Sequence, residues 1–595
     1  MKKMKNIFGL LLAILMITSC SEDFLDKKPL DEFSDVDVWN DPNLIETFVN
    51  NYYRAIGYSF DIDLLACYVD EAHFTPDWGV RDFNKSILTA DQIPGWSTNW
   101  FGSGSINKLW NPMYKAIRAT NIFLSKIDES GVEDQDKKDQ FTGETYFWRA
   151  MYYHYLTSLY GGVPIITEPY GLSDEFEIAR NSYADCIEFI VSDLDKAANL
   201  LGNDARLTKG AALALKARVL LYAASDLHNT YSYSGYSNPE LIGYTSGGQD
   251  SRWQAAKSAA KAVIDLGTYS LFSPNPASQE EATQNYISYF TSSGDDEDIF
   301  VRHFIPNIDE GWDNYHPGLH SGPNGYHNWG NNCPLGNLVD DYQMADGTDF
   351  SWDNPAHAAD PYGIFDGMKR DPRFYADVLY DGAQWRGRPT DVASIDPVGI
   401  IQTGRWETSA SGDVRYGLDT RNGPIEDWNG GYSGYYVRKM IVKEIDAQFT
   451  KQEVPWRYMR LGEVYLNYVE ACIETGDEGE ALKYLNMIRK RAAMPEISAS
   501  GDALMEAYRN ERRIELSYEE HRYFDIKRWV MGEVGYADAT KVDIVYKWEN
   551  GATATQPVYT PSVFEDRVWD NKAYFFPIFR SEMNKNSLLI NNPGY

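Results

Sequence analysis

The chain has 595 residues, 43% of them hydrophobic and 24% charged, which suits a soluble globular protein with more than one core. Its formal charge of −32 repels phosphate backbones and anionic lipid surfaces, arguing against nucleic acid as a partner and leaving a membrane accessible only through an anchor. An unusual share, 14%, is aromatic, with 17 Trp and 42 Tyr.

The first element is a basic start, Lys2, Lys3 and Lys5, followed by the apolar run "IFGLLLAILMI" (7–17). The run is shorter than the roughly 20 residues that cross a bilayer, and it fits the h-region of an export signal. It ends in Thr18-Ser19-Cys20, small residues before a cysteine, and resembles a bacterial lipoprotein signal. In that reading residues 1–19 are removed and Cys20 is lipidated. Ile17 departs from the commoner leucine, and a plain export signal with an incidental cysteine is the alternative. Ser21, Glu22 and Asp23 resemble the acidic tag that directs some lipoproteins to the outer face of the outer membrane. The other cysteines (Cys67, Cys186, Cys333 and Cys472) form no C-x-x-C pair, so buried free thiols are expected and a zinc site is not.

Helical periodicity comes next. Leu44–Ile56 reads as a helix capped by Asp41 or Asn43, with Leu44, Phe48 and Tyr52 on one face. Further helices are predicted at 109–127, 144–161 and 183–201, then after a Thr208 cap, and at 253–267. The style returns at 460–476, 478–492 and 502–519. Several form helix–turn–helix pairs, with small residues such as Ala211, Ala212, Ala214 and Ala217 at close-packing positions. This is tetratricopeptide-like stacking without a clean 34-residue repeat. Between 268 and 455 Gly, Pro, Asn, Asp and Trp become dense, and loops with short strands are expected. The predicted fold is mainly α: a tetratricopeptide-like helical-hairpin scaffold carrying a large irregular loop and short-strand region. The expected divisions are a signal (1–19), an N-terminal helical domain (20–267), a loop-rich ligand-binding region (268–455) and a C-terminal helical segment packed on the scaffold (456–595).

No H-E-x-x-H, G-x-S-x-G, Walker-type loop or G-x-G-x-x-G occurs. His316, His320 and His327 cluster loosely in a glycine-rich loop, where solvated or stacking imidazoles are a better reading than a metal site. "SGDDEDI" (293–299) reads as a solvated acidic loop before a calcium loop. The positive signal is aromatic. Trp78, Trp96 and Trp100 lie in early loops beside Arg81 and Asn99, and Trp312, Tyr315, Tyr326, Trp329 and Trp352 lie in later ones. Such rings mark recognition surfaces or pin loops to the frame. A sugar offers an apolar face that a ring covers and a hydroxyl rim that Asn, Asp and Arg bond.

Taken together, "SCSEDFLDKKP", "WRAMYYHYLTSLYGGVPI" (148–165), "RLTKGAALALKARVLLYAA" (206–224), "LVDDYQMADG" (338–347), "KRDPRFYADVLYDG" (369–382) and "SGYYVRKM" (433–440) resemble the SusD/RagB family of outer-membrane nutrient-binding lipoproteins. So do "RYMRLGEVYLNYVEA" (457–471), "NERRIELSYEEHRYFDIKRW" (510–529) and "NNPGY" (591–595). The Arg and Glu residues of these late blocks read physically as ion pairs locking helix to helix. The resemblance implies a cell-surface glycan binder with no catalytic residues and no cofactor. It implies lipid anchoring through Cys20 on the extracellular side of the outer membrane. The ligand would be a neutral oligo- or polysaccharide, delivered to a SusC-like TonB-dependent transporter. By position it points to Trp78, Arg81, Trp96, Asn99, Trp100, Trp312, Tyr326 and Trp329, with Asp41, Asn43, Arg405 and Tyr432 as additional polar or aromatic contacts. Alternatives are peptide capture, as in some family members, or a glycoside hydrolase using carboxylates such as Asp340, Asp341 or Asp346.

Overall fold

Ser182, Thr208 and Asp134 each begin a helix for the same reason: a side-chain oxygen satisfies an otherwise orphaned backbone N–H in the first turn. Ser182 accepts from Asp185 N at 3.1 Å while Asp185 reaches back to Ser182 N, a reciprocal capping box. Thr208 accepts from Ala211 N at 3.2 Å and Asp134 from Lys137 N at 3.2 Å. The computed structural model describes residues 35–55, 60–95, 109–171, 174, 177–203, 206–304 and 316–595. Among these, the longer helices in chain order are α1 (Asp35–Asn40), α2 (Pro42–Asn50), α3 (Trp110–Lys126), α4 (Gln135–Tyr160), α5 (Tyr183–Leu200), α6 (Lys209–Ala224), α7 (Gln249–Ile264) and α8 (Gln279–Thr291). After a long interval come α9 (Leu461–Glu474), α10 (Glu478–Arg491), α11 (Asp502–Glu515) and α12 (His521–Arg528).

Helices α3 to α7 pack each on the next, and α9 closes onto α6 and α7, so the C-terminal helices extend the same stack. Ala211, Ala212, Ala214 and Ala217 are buried on α6, where side chains this small let neighbouring helices approach closely. The mainly α frame expected from periodicity is what forms. Three details differ. The stripe α2 buries is Ile45 and Val49, with Leu44 and Phe48 only half-buried, so the inward face lies one residue further along than the sequence pattern indicated. Helix α4 starts nine residues earlier than expected, because Asp134 caps a polar first turn that carries no apolar period. Helix α8 forms inside the region read as loop, capped by Ser278, which accepts from Glu281 N at 3.1 Å.

The strands are short: β1 (Ala72–Phe74), β2 (Asp298–Arg302), β3 (Asn332–Pro334), β4 (Arg405–Glu407), β5 (Val414–Tyr416), β6 (Trp456–Arg460), β7 (Ala539–Tyr546) and β8 (Val558–Glu565). β1 pairs antiparallel with β3, and β2 with β6. The largest sheet runs β8-β7-β4-β5, with β4 and β7 parallel and the other neighbours antiparallel. Strands β7 and β8 lie in the segment read as helical. Half of their sheet comes from the mid-chain region.

The motif-rich late helices are cross-linked by buried charge. Arg460 bonds Glu297, Glu515 and Glu519, while Arg218 forks onto Glu463, Arg522 onto Asp70, and Arg528 onto Glu470 and Asp525. Glu297 and Asp298, which a solvated acidic loop would leave in water, are instead paired with Arg460 and Arg491, and with Arg457. Burial pushes the Glu470 carboxyl up, but the Arg528 guanidinium and its hydrogen bonds outweigh that and hold it at about 2. Its stabilising contribution is therefore complete above about pH 4.5 and is lost as pH falls towards 2. We expect the unfolding temperature to drop steeply across that acid window, and Glu470→Gln to flatten the limb while lowering stability at neutral pH; calorimetry at stepped pH measures both.

Candidate functional site

Three loops meet at one end of the β7–β4 sheet. Thr75, just past β1, donates its N–H to Asn331 O at 2.8 Å and its hydroxyl to Gly330 O at 2.7 Å. Gly430 N donates to Trp329 O at 3.1 Å, joining the third loop to the second. Glycine is required there. A Cβ on Gly431 would lie 2.1 Å from Cys333 Sγ, and Gly430 adopts φ +96°.

Behind this junction lies a cleft of about 230 Å³, lined by Arg405, Arg421, Asn422, Tyr432, Lys541 and Asp543 among others. Tyr432 is 46% exposed. Its ring meets His73 edge-on at 5.4 Å and lies near-parallel to Phe564 at 6.3 Å, and the Arg421 guanidinium backs it at 4.8 Å. Arg421 also donates to Trp428 O at 2.7 Å and to Gly430 O at 3.2 Å, so one side chain fixes both the ring and the loop carrying it. His73 is held by Glu565 at 3.2 Å, and burial of Glu565 is outweighed by this bond and by Arg567, which keep its carboxyl at about 2. Asp381 lies beneath the cleft and accepts from Thr403 N, Gly404 N and the Tyr546 hydroxyl; burial still raises it to about 6. The result is an aromatic platform beside a rim of donors and acceptors, suited to a polyhydroxylated ligand.

The structure brings five of the expected residues to this end. Arg405 and Tyr432 line the cleft itself. Trp329 is half-buried and stacks on His320 at 5.2 Å. Trp78 is half-buried against Phe74 at 5.3 Å, with φ +37°. Arg81 is exposed and reaches Glu565 at 3.7 Å and Asp77 at 3.9 Å. Three others require correction. Tyr326 is fully buried, its hydroxyl donating to Arg386 O at 2.8 Å and its ring 4.4 Å from the Arg388 guanidinium, so it presents no face to a ligand. Asp41 caps α2 by accepting from Asn43 N at 2.8 Å, and Asn43 is exposed in the first turn of the same helix, which packs on α4, so neither lines the cleft. Trp96, Asn99, Trp100, Trp312 and Cys20 lie outside the described residues.

The model of the SusD family matches residues 289–595, more than half of the chain. The chain belongs to the SusD family. A second family model, described as "Starch-binding associating with outer membrane", matches residues 23–221. A SusD-like protein from Bacteroides fragilis superposes with a TM-score of 0.72 at 27% identity, covering 96% of this chain and all of that one. A SusD-like carbohydrate binding protein from the same species gives 0.68 at 23% identity, covering 93% and 100%. SusD-like protein P25 of Formosa agariphila is 22% identical over 441 residues, 71% of this chain and 70% of its own length.

In this SusD-family chain the carboxylates considered for hydrolysis are engaged away from the cleft. Asp340 accepts the Trp352 indole N–H at 2.9 Å, Asp341 pairs with Arg513, and Asp346 accepts from Thr348 N at 2.9 Å. Among the described residues no group of three or more His, Cys, Asp or Glu could hold a metal ion, and no helix is long and apolar enough to cross a membrane. A larger cleft of about 480 Å³, lined by Trp110, Tyr114, Ile117 and Leu589, lies on the helical side and contains none of the expected site residues. Sequence reasoning missed Arg421 and Trp428. The signal available for both was the segment "RNGPIEDWNGGY" (421–432), whose paired glycines and flanking Asp and Asn mark a loop, though not whether its tryptophan is exposed.

Proposed function

We propose that this protein is a glycan-binding lipoprotein of the outer cell surface. It captures neutral oligo- or polysaccharide and passes it to a TonB-dependent outer-membrane transporter, without chemistry of its own. The observation that carries this reading is Tyr432: a half-exposed ring, backed by Arg421 and braced by His73, at the mouth of a cleft rimmed by Arg405, Asn422, Lys541 and Asp543. Similarity to a SusD-like carbohydrate binding protein and to a family described as starch-binding and associating with the outer membrane supports the ligand class and the location. Anchoring through Cys20 and the transporter partner follow from the family resemblance read in the sequence. Acidic charge across the body favours neutral over polyanionic glycans.

Affinity electrophoresis of the chain lacking residues 1–20, through gels containing starch, laminarin or galactomannan, tests the reading. Retardation by at least one glycan is expected, without release of reducing ends. Tyr432→Ala should weaken it about tenfold, the equivalent of losing one well-packed aromatic contact. No retardation in any gel, with capture of peptides instead, would replace the glycan by a peptide ligand; new reducing ends would make the protein a hydrolase.

A further inference from the structure

Trp428 is 72% exposed, an indole left in water on the same loop as Tyr432. Exposure of so large a ring forgoes the gain of burying it. Yet the ring is held in place. Its Nε1–H donates to Glu426 Oε2 at 3.1 Å, Asn429 Nδ2 donates to the same oxygen at 2.6 Å, and Arg421 bonds the Trp428 carbonyl. The other oxygen of Glu426 lies 3.0 Å from His327 Nδ1, and His327 Nε2 lies 2.9 Å from Asp391 Oδ2. One imidazole thus bridges carboxylates from two further loops. Resting on the glycan-binding reading above, we propose that Trp428 is a second sugar-stacking platform beyond the cleft, and that the Glu426–His327–Asp391 bridge is the positioning device that presents it.

A neutral imidazole has one N–H and cannot donate to both carboxylates, so the bridge is complete only as the imidazolium. Partial burial lowers the pKa of His327, but the hydrogen bonds to Glu426 and Asp391 outweigh it and raise the group above its ordinary value. Arg388, Asp396 and Asp419, around the neighbouring Tyr326, are paired with one another. The hold on Glu426, and through it on Trp428, is therefore present at acidic to neutral pH. It is lost as pH rises through the raised pKa of His327.

The experiment uses the chain lacking residues 1–20 and whichever of starch, laminarin or galactomannan retards it. Trp428→Ala should weaken binding about fivefold at pH 6, with Trp428→Phe recovering part of the loss. The ratio of wild-type to Trp428→Ala affinity should shrink towards one as pH rises to 9. Asp391→Asn, which removes one of the charges raising the His327 pKa, should move that decline to lower pH. If Trp428→Ala binds like wild type while Tyr432→Ala does not, the second platform is refuted and the glycan reading stands. If wild type binds none of the three glycans, both fall together. A ratio that stays constant with pH, or a decline unmoved by Asp391→Asn, refutes the His327 bridge as the positioning device.

Discussion

Replacing Glu515 by alanine is expected to destabilise the protein by about 3–5 kcal/mol, the range seen when one partner of a buried ion pair is removed. Glu515 is fully buried at the end of α11. Its carboxylate receives Arg460 at 2.8 Å and Arg373 at 3.2 Å, together with Arg491 and the Tyr286 hydroxyl. Burial alone would raise the carboxyl, but the three guanidiniums hold it well below the usual carboxylate range. Those three arginines come from the β6–α9 junction, from residue 373 in the mid-chain region and from α10, so one carboxylate neutralises charge drawn from three parts of the chain. Its loss leaves each of the three buried guanidiniums short of one anionic partner, with Glu297 and Glu519 still on Arg460, Asp371 and Glu511 on Arg373, and Glu297 on Arg491, a cost that removing an apolar side chain would not incur. Chemical denaturation of Glu515→Ala should show the loss as a lowered midpoint. Glu506→Ala, which breaks only the surface pair with Arg509, should shift it by less than about 0.5 kcal/mol. Equal effects of the two substitutions would refute the network's structural role.

The second large effect is functional. Arg421→Ala should reduce glycan binding about ten- to a hundredfold while leaving the unfolding temperature nearly unchanged. Arg421 backs the Tyr432 ring and donates to the carbonyls of Trp428 and Gly430, so its removal frees the platform and both ends of the turn behind it. The loop then pays its ordering entropy on binding ligand rather than on folding. Arg421→Lys keeps the charge but cannot cover a ring and bond two carbonyls together, so it should recover only a small part of the affinity. Calorimetric titration with the retarding glycan measures the loss. Full affinity in Arg421→Ala would show that Tyr432 and its turn need no such support.

How far the sequence was legible depends on the range of the interaction involved. Helices with local caps, such as those after Ser182 and Thr208, were placed within a residue or two, because the cap and the apolar period both lie within one or two turns of chain. The ionic character of the late Arg and Glu blocks was also readable, since so many charges on apolar-faced helices must find partners. The partners themselves were not: Arg460 meets Glu297, more than a hundred and fifty residues away, and nothing local specifies that. Tyr326 and Trp428 show the same limit at the site. Both are aromatics in glycine-rich loops, yet Tyr326 is buried under Arg388 and Trp428 stands in solvent. Which loop lies over which was decided by the β1–β3 pairing and by the contact of Gly431 with Cys333.

By itself, then, the sequence determined the helical frame and the family, because periodicity, caps and motif order are written in neighbouring residues. Only the tertiary structure decided that Arg405 and Tyr432 share one cleft and that Arg421 supports the ring. The cleft joins residues 403–436 to 541–544 and its ring to His73, segments far apart in the chain, and such contacts are fixed by packing the whole molecule rather than by any local stretch of it.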